Sequence, residues 1–497
     1  MTRVRALVIL LLAALLVRLP FFFIDSVDWD EGTFILIGQS ILDGHLPYVH
    51  LWDLKPPLLF GFFATAIAAG GHSIVAVRAA GTITVAVTAW LVFCTAVRWW
   101  PRRIAGIAAA ACVGLETFIG SGQGTMSEHV ALPALWGAVA LLVATDRPAP
   151  GRAFWIGALA AVATLVRLNL AVTGVAIAIL LVLDSVRFRR SLGSAVPGFA
   201  AGGTAVLALT AMPYVFSGQF DMLWRSVFLA ARARTDTGTT LAERAAALGS
   251  QALHADGGSA IFWPGVIVGF GALAAAVLAW RRAGAEDGGA TRGVRHVTVL
   301  FAATAAGIAM SGEAFAHYLI QLVPFVTLLF GALLARLPGT MSIIAAVVLL
   351  VSSWPSLQPV VAEYRGLISR MQSGVDLHYG PAYDIAAFLK EQNPGRRPVL
   401  VLSDHVAYWL AGTEPPGKFV THPSTLSRAA VLKVMGTTPQ RELETIFAKA
   451  PLFVVLDPSD LPMTDEARSW LEATLARNYS RAESIEGRDI YKRIEAP

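Results

Sequence analysis

Long apolar runs separated by short charged turns fill the first 357 residues, and few structures can accept that many of them. The runs fall near 6–24, 72–97, 103–120, 127–145, 152–168, 169–184, 195–215, 261–280, 297–313, 317–336 and 340–357. A helix of about 20 apolar residues spans the roughly 30 Å hydrocarbon core of a bilayer. The charge is partitioned to match. Glu363–Pro497 holds 17 acids and 16 bases in 135 residues, whereas the other 362 residues hold 17 acids and 23 bases. That is about a quarter charged in the tail, as in soluble domains, and well below it elsewhere. The chain therefore reads as an α-helical polytopic membrane protein. A transmembrane domain, 1–357, is followed by a soluble domain, 358–497. A secreted enzyme, a cytosolic enzyme and a disordered chain are excluded.

The net charge of +5 does not point to nucleic acid, because the basic residues punctuate apolar runs and do not gather on one arm. Cys94 and Cys112 both lie inside apolar runs, so they read as packing residues and not as a disulfide or metal framework. Met1–Arg5 and Ala6–Ile24 look like a signal peptide, but the run continues through Phe21-Phe22-Phe23 without a cleavage site. It is read as a retained first span with its amino end in the cytoplasm.

The loop charges fix the topology. With about 11 crossings, Arg3, Arg5, Arg98, Arg102, Arg103, Arg147, Arg152, Arg187, Arg189, Arg190, Arg281, Arg282, Arg292, Arg295 and Arg336 all fall inside, 15 of the 23 bases in that part. Counting the short apolar stretch 56–70 as a crossing would reverse every later loop, against the positive-inside rule. It is therefore read as re-entrant or interfacial, and the tail lies outside. Asp25, Asp28, Asp30, Glu31, Asp43, Asp53, Glu128 and Glu313 then collect at the outer face, where carboxylates next to lipid need a reason.

Residues 25–55, DSVDWDEGTFILIGQSILDGHLPYVHLWDLK, are the most informative. Phe34, Ile37, Ile41 and Leu42 have helical spacing, which predicts a short helix over 31–42 lying on the membrane. Asp43-Gly44 ends it, and Pro56-Pro57 opens the next helix. Asp30-Glu31 has two readings: an N-cap with a first-turn acid, or catalytic carboxylates at the water–membrane boundary. Lys55 is either a snorkelling anchor or a partner for an anionic lipid headgroup.

Asp30-Glu31, the helix after it and Lys55-Pro56-Pro57-Leu58 together resemble the GT-C membrane glycosyltransferases. The likeness is greatest to the branch (glycosyltransferase family 39-like) that holds protein O-mannosyltransferases and the lipid A aminoarabinose transferase. That family has an Asp-Glu pair opening the first outer-loop helix and a Lys/His-Pro-Pro-Leu run closing the loop. Ser127-Glu128-His129 stands where members carry a second acid, and Arg167 sits in a short outer turn where relatives place Lys or Arg. His317-Tyr318 followed by Pro324 resembles the pattern opening a late span. Two positions depart: Glu128 replaces Asp, and Leu54 replaces the Glu before Lys55, with Asp53 the nearest acid. A metal site built on that Glu does not carry over.

The resemblance implies transfer of a sugar from a polyprenyl-phosphate donor to a lipid, glycan or protein acceptor. An acceptor hydroxyl is a poor nucleophile, so a carboxylate must take its proton. A phosphate already leaves well, so it needs fixed cations and no acid. A single displacement inverts the anomeric centre, by analogy with inverting glycosidases. Asp30 is expected to be the base, Glu31 its neighbour and Glu128 a further acid of the cleft or the partner of a cation. Lys55 and Arg167 are expected on the lipid phosphate, with His317 and Tyr318 as substrate contacts or interfacial anchors. No cofactor is required. His45, His50, His129 and His317 lack ligand spacing, which leaves a divalent metal open.

The loop 216–260 carries Phe220, Leu223, Trp224, Val227 and Phe228 at helical spacing, with Arg225, Arg232 and Arg234, and reads as a second interfacial helix. The glycines at 70–71 and 202–203 read as helix-packing positions. In the tail, helices are expected over 383–391 and 465–477 and strands over 398–402, 452–456 and 489–494, a small α/β domain. Asp404-His405 reads as a strand-end turn. The whole is expected in the inner membrane among membrane lipids. The competing reading is a transporter or flippase of a lipid-linked substrate, which would place charges or broken helices at the membrane midplane.

Overall fold

A computed structural model describes residues 2–144, 150–187, 192–235, 239–254, 289–313, 315–352 and 354–494. The expected crossing at 261–280, with Arg281 and Arg282, lies outside them, as do Arg147, Arg189 and Arg190. Five described helical stretches are long and apolar enough to cross a membrane: Arg3–Phe23, Ile74–Ala96, Leu168–Val186, Ala195–Phe216 and Ala316–Leu334. Four shorter apolar helices accompany them, among them Pro57–Gly70, Ser127–Val143 and Pro150–Val166. The protein is a multi-pass membrane protein. Pro57–Gly70 has 14 residues, a length of about 21 Å at 1.5 Å per residue, short of a bilayer core.

The chain divides into two compact units. The first holds Met1–Phe22, Arg78–Thr210 and Gly238–Ser369; the second holds Phe23–Val77, Ala211–Thr237 and Arg370–Pro497. The first loop, 25–55, thus belongs to the same unit as the tail.

In the first unit, glycines let helices approach where a larger residue would collide. A Cβ on Gly202 would strike the carbonyl of Phe154, and one on Gly157 that of Phe199. Gly202, of the pair at 202–203, is therefore a helix-packing position. Arg18 is fully buried and donates to the carbonyls of Gly122 and Gly124 and to Thr82. Its side chain ties the turn before Ser127 to the first span.

In the second unit the first-loop helix runs Trp29–Leu42. Its cap is Asp28, whose Oδ1 accepts from the Asp30 amide at 2.9 Å. Asp30 and Glu31 fill the first turn, where carboxylates favour the helix dipole. The expectation of a helix lying on the membrane is corrected: Glu31 through Gly38 are all buried. The reason is the near-continuous apolar stretch Phe34–Ile37, which leaves no polar face, and Gly38. A Cβ there would come within 2.9 Å of the Ala64 amide nitrogen and of Phe63 Cβ. Gly38 thus lets Trp29–Leu42 lie directly on Pro57–Gly70, where Pro57 stands in the first turn as expected.

The tail forms a mixed four-stranded sheet of β1 (Val399–Val401), β2 (Phe453–Leu456), β3 (Tyr479–Ile485) and β4 (Arg488–Arg493), ordered β1-β2-β4-β3. β1 and β2 are parallel, and the other two pairings are antiparallel. The helices Pro381–Gln392 and Asp465–Asn478 match the expected ones within a few residues. β3 is the element the sequence does not announce, since five of its seven residues are exposed. Its hairpin with β4 turns through Glu486 and Gly487 at φ 46° and 82°, the left-handed pair that matches strand twist. Leu400, Leu402, Val420, Leu426, Val454 and Leu471 lie in the tail's core.

The tail is bonded to the first loop at its start. Tyr379 donates its amide to the Phe23 carbonyl at 3.1 Å, and Asp25 donates its amide to the Tyr379 carbonyl at 3.0 Å. The Asp25 carboxylate accepts from the Ala382 amide at 2.5 Å, at the amino end of Pro381–Gln392. That gives Asp25 a structural purpose.

Candidate active site

Asp30, at the helix start, has its side chain 14% exposed. Lys55 Nζ donates to its Oδ2 at 2.6 Å. His422, from the tail, lies 3.2 Å from its Oδ1. A carboxylate held at both oxygens by N–H donors is a charge-assisted arrangement of fixed direction.

Lys55 is itself held by the loop that carries it. Asp53 Oδ1 accepts the Lys55 amide at 2.9 Å, which closes a local turn. The Tyr48 hydroxyl donates to the Lys55 carbonyl at 2.6 Å, and the Lys55 ammonium lies 5.1 Å from the Phe34 ring centroid. Burial pushes the Tyr48 phenol well above its ordinary value of 10.0, helped by Tyr214 and Asp53, so it stays a donor. Next in the loop, Trp52 is fully buried and donates its indole N–H to Ser226 Oγ at 2.9 Å. Ser226 sits in a π-helical turn, Arg225–Leu229, inside the expected helix over 220–228. Phe220, Trp224 and Phe228 are exposed on that helix, while Leu223 and Val227 are buried.

The tail meets this helix start through two histidines. Asp404 takes φ +57° at the end of β1 and pairs with Arg488 at 2.6 Å, so Asp404-His405 is the strand-end turn expected. It also puts His405 under the first-loop helix, with Nε2 2.9 Å from Thr33 Oγ1. A Cβ on Gly32 would sit only 3.1 Å from that nitrogen. Burial pushes the His405 imidazole down to about 3, so it is neutral. His405 and His422 both lie on the crossover that carries β1 to its parallel partner β2. Open α/β sheets commonly bind ligands beyond the carboxyl ends of parallel strands.

The first unit gathers a separate set of the expected residues. Arg167 Nη1 lies 2.5 Å from Glu128 Oε1 and donates to Ser127 Oγ at 2.7 Å. The guanidinium lies 4.6 Å from the Tyr318 ring centroid. Both charged side chains are buried, at 4% and 0% exposure. Of the two sequence readings of Glu128, the geometry shows the ion pair. His317 is half-buried and stacks on Phe315 at 5.5 Å. Glu31, in the second unit, is buried beside Asp30 in the helix's first turn.

The four histidines weighed as metal ligands do other work. His45 stacks on His50, and His50 bonds Glu414 at 3.0 Å. His129 Nδ1 accepts the Met126 amide, and its Nε2 donates to the Glu116 carbonyl at 3.0 Å. Among the described residues, no group of three or more His, Cys, Asp or Glu side chains is placed to hold a metal ion.

Sequence reasoning missed His422, Thr33, Tyr48 and the part His405 plays. No spacing ties His422 to Asp30, which is 392 positions away. Tyr48 gives no pattern signal either.

A helical membrane domain followed by a small mixed-sheet tail is the GT-C membrane fold, shared with solved structures of the ArnT type. The resemblance read from the first loop is borne out. Residues 54–216 match the family model described as dolichyl-phosphate-mannose-protein mannosyltransferase, a span that includes Lys55, Glu128 and Arg167 and begins after Asp30. ArnT from Cupriavidus metallidurans in the apo state superposes with a TM-score of 0.63 at 14% identity, over 99% of each chain. The same protein bound to undecaprenyl phosphate gives 0.61 at 14% identity over 98% of each. The apo oligosaccharyltransferase of Archaeoglobus fulgidus gives 0.52 at 14%, over 92% of this chain and 69% of the other. No curated protein matches the sequence.

Proposed function

We propose that this protein is a glycosyltransferase that moves a sugar from a polyprenyl-phosphate donor to an acceptor hydroxyl at the outer face of the membrane. The observation that carries the reading is the Asp30 carboxylate, nearly buried at a helix start and gripped by Lys55 at 2.6 Å. Support for the donor class comes from the family match and from the ArnT structure with undecaprenyl phosphate. The acceptor hydroxyl transfers its proton to Asp30 as its oxygen attacks the anomeric carbon. The bond from that carbon to the phosphate oxygen breaks, and the electron pair leaves on the polyprenyl phosphate. One displacement inverts the anomeric centre.

Lys55 has three N–H donors, enough to orient Asp30 and to meet an oxygen of the leaving phosphate. Arg167 is the proposed guanidinium for a lipid-linked phosphate; Glu128 fixes its direction, and Tyr318 lies beneath it. His317 and Tyr318 are proposed substrate contacts, and Glu31 a neighbour that orients acceptor or sugar. The proposed topology has the amino end in the cytoplasm and the tail outside the inner membrane, as the positive-inside bias of the loops supports. The transporter alternative is not favoured, given the family match and the fold.

The test is transfer by the purified protein, supplied with labelled polyprenyl-phosphate sugars and a membrane extract, wild type beside Asp30→Asn. Transfer by the wild type and a loss of about 100-fold or more in a folded Asp30→Asn variant is expected for removal of a general base. Equal transfer by both would reduce Asp30 to a structural acid.

A further inference from the structure

We propose that His422, carried on the β1–β2 crossover of the tail, is a positioning residue that fixes the Asp30 carboxylate from the side opposite Lys55. The inference rests on the reading of Asp30 as the base.

The hydrogen bonds around the ring assign its tautomer. The Ser424 amide donates to His422 Nδ1 at 3.3 Å, and the Ser424 hydroxyl lies 2.9 Å from the same nitrogen. Nδ1 therefore accepts, and the proton of the neutral ring is on Nε2. That N–H points at Asp30 Oδ1, 3.2 Å away, while Lys55 holds Oδ2 at 2.6 Å. With a donor on each oxygen, the carboxylate cannot turn about its Cβ–Cγ bond. A base must lie within hydrogen-bond reach of the proton it abstracts, in a set direction, before its basicity matters. A neutral donor also orients a carboxylate while weakening its basicity less than a second cation would.

The ring is held in place by its own segment. Thr33 Oγ1 donates to the Thr421 carbonyl at 3.3 Å, and the Trp52 amide donates to the Lys418 carbonyl at 3.2 Å. The Trp52 and Phe419 rings meet edge-on at 5.4 Å, and Trp29 lies edge-on to His422 at 6.3 Å. Lys418–His422 is thus fastened to both ends of the first loop, beside Asp30 and beside Lys55. The charged and titratable groups facing His422 in this unit include Asp30 and, at 5.9 Å between ring centroids, His405. The tail so supplies one side of the candidate catalytic carboxylate, a role that a loop-only reading of the site leaves out.

The experiment uses the full chain in lipid nanodiscs with a labelled polyprenyl-phosphate sugar. His422→Gln, His422→Met and Asp30→Asn are compared with wild type, and folding is followed by thermal unfolding. Gln keeps a side-chain N–H where Nε2 stands; Met has similar length and no donor. His422→Met is expected to lower kcat about 10- to 100-fold, the range for a lost hydrogen bond to a charged group, with KM for the donor unchanged. His422→Gln is expected to recover most of that loss. Wild-type kcat in a folded His422→Met variant, beside an inactive Asp30→Asn, would overturn the positioning role and leave the base in place. Equal defects in folded Gln and Met variants would overturn it too, since the donor would not be what matters. Normal transfer by Asp30→Asn would remove the base reading itself, and the proposal with it.

Discussion

Tyr48 stands in the left-handed backbone region, at φ 71°, and from there its hydroxyl reaches the Lys55 carbonyl at 2.6 Å. A bulky side chain in that region is strained by roughly 1–3 kcal/mol, and such strain persists only where the surroundings over-determine it. Here the ring is fully buried, lies edge-on to Phe60 and is tilted against Tyr214. The amide also donates to the Leu51 carbonyl at 2.9 Å. The conformation spans the loop from the end of the first-loop helix to the lysine.

Tyr48→Phe keeps the packing and deletes the hydroxyl. The Lys55 carbonyl loses a buried donor, which is expected to cost about 1–3 kcal/mol in thermal unfolding. Because Lys55 then drifts relative to Asp30, transfer is expected to fall more than stability alone accounts for. Thermal melts and transfer rates on the same preparation check this, and unchanged transfer would detach Tyr48 from the site.

Glu128 and Arg167 form a buried pair, so their single and joint replacements should differ. Glu128→Leu strands the Arg167 guanidinium and is expected to destabilise by about 3–5 kcal/mol. Adding Arg167→Met should return much of that stability without restoring transfer. A double-mutant cycle on unfolding, run beside the activity assay, separates the structural role of the pair from its proposed role at the lipid phosphate.

His405 gives the tail a defined acid sensitivity. Its imidazole is held down to about 3 from an ordinary 6.5 by burial. The unfolded chain therefore binds the proton and the folded chain does not between those values. Stability from this group is complete above about pH 6.5 and is lost as pH falls toward about 3. His405→Gln does not titrate, so its unfolding midpoint should be flatter than wild type across that window. Parallel curves for the two proteins would show that His405 does not set the acid limb.

Gly38 sets the closeness of two helices. Gly38→Ala places a Cβ within 2.9 Å of the backbone nitrogen of Ala64, an atom that cannot rotate away. The helices Trp29–Leu42 and Pro57–Gly70 must part, at a cost expected near 1–3 kcal/mol. Gly44 offers a control, since nothing lies within 4 Å of a Cβ there. Its φ of +93° still makes substitution strained, so Gly44→Asn, which tolerates that region better than Ala, is the milder comparison.

Much of the architecture is local and so can be read along the chain. Apolar runs of bilayer length, the proline pair opening Pro57–Gly70 and the acids in the first turn of Trp29–Leu42 follow from neighbours within a few residues. The motif residues Asp30-Glu31 and Lys55-Pro56-Pro57 can be read along the chain, which is why the family likeness was accessible; that Lys55 pairs with Asp30, 25 positions away, came from the tertiary structure. The helix expected at the membrane surface proved buried because only packing against Pro57–Gly70 and the tail decides which faces meet solvent.

The partners of the pair were not accessible in that way. His422 reaches Asp30 across 392 positions, and His405 reaches Thr33 across 372. No periodicity spans such distances. These contacts exist because a parallel β1–β2 crossover carries both histidines to the first loop. The membrane class, the tail and the two charges of the motif are legible along the chain, since each depends on short-range pattern. That the tail supplies the histidine on the other oxygen of Asp30 is a product of the folded chain, because that contact is made by topology and not by any local propensity.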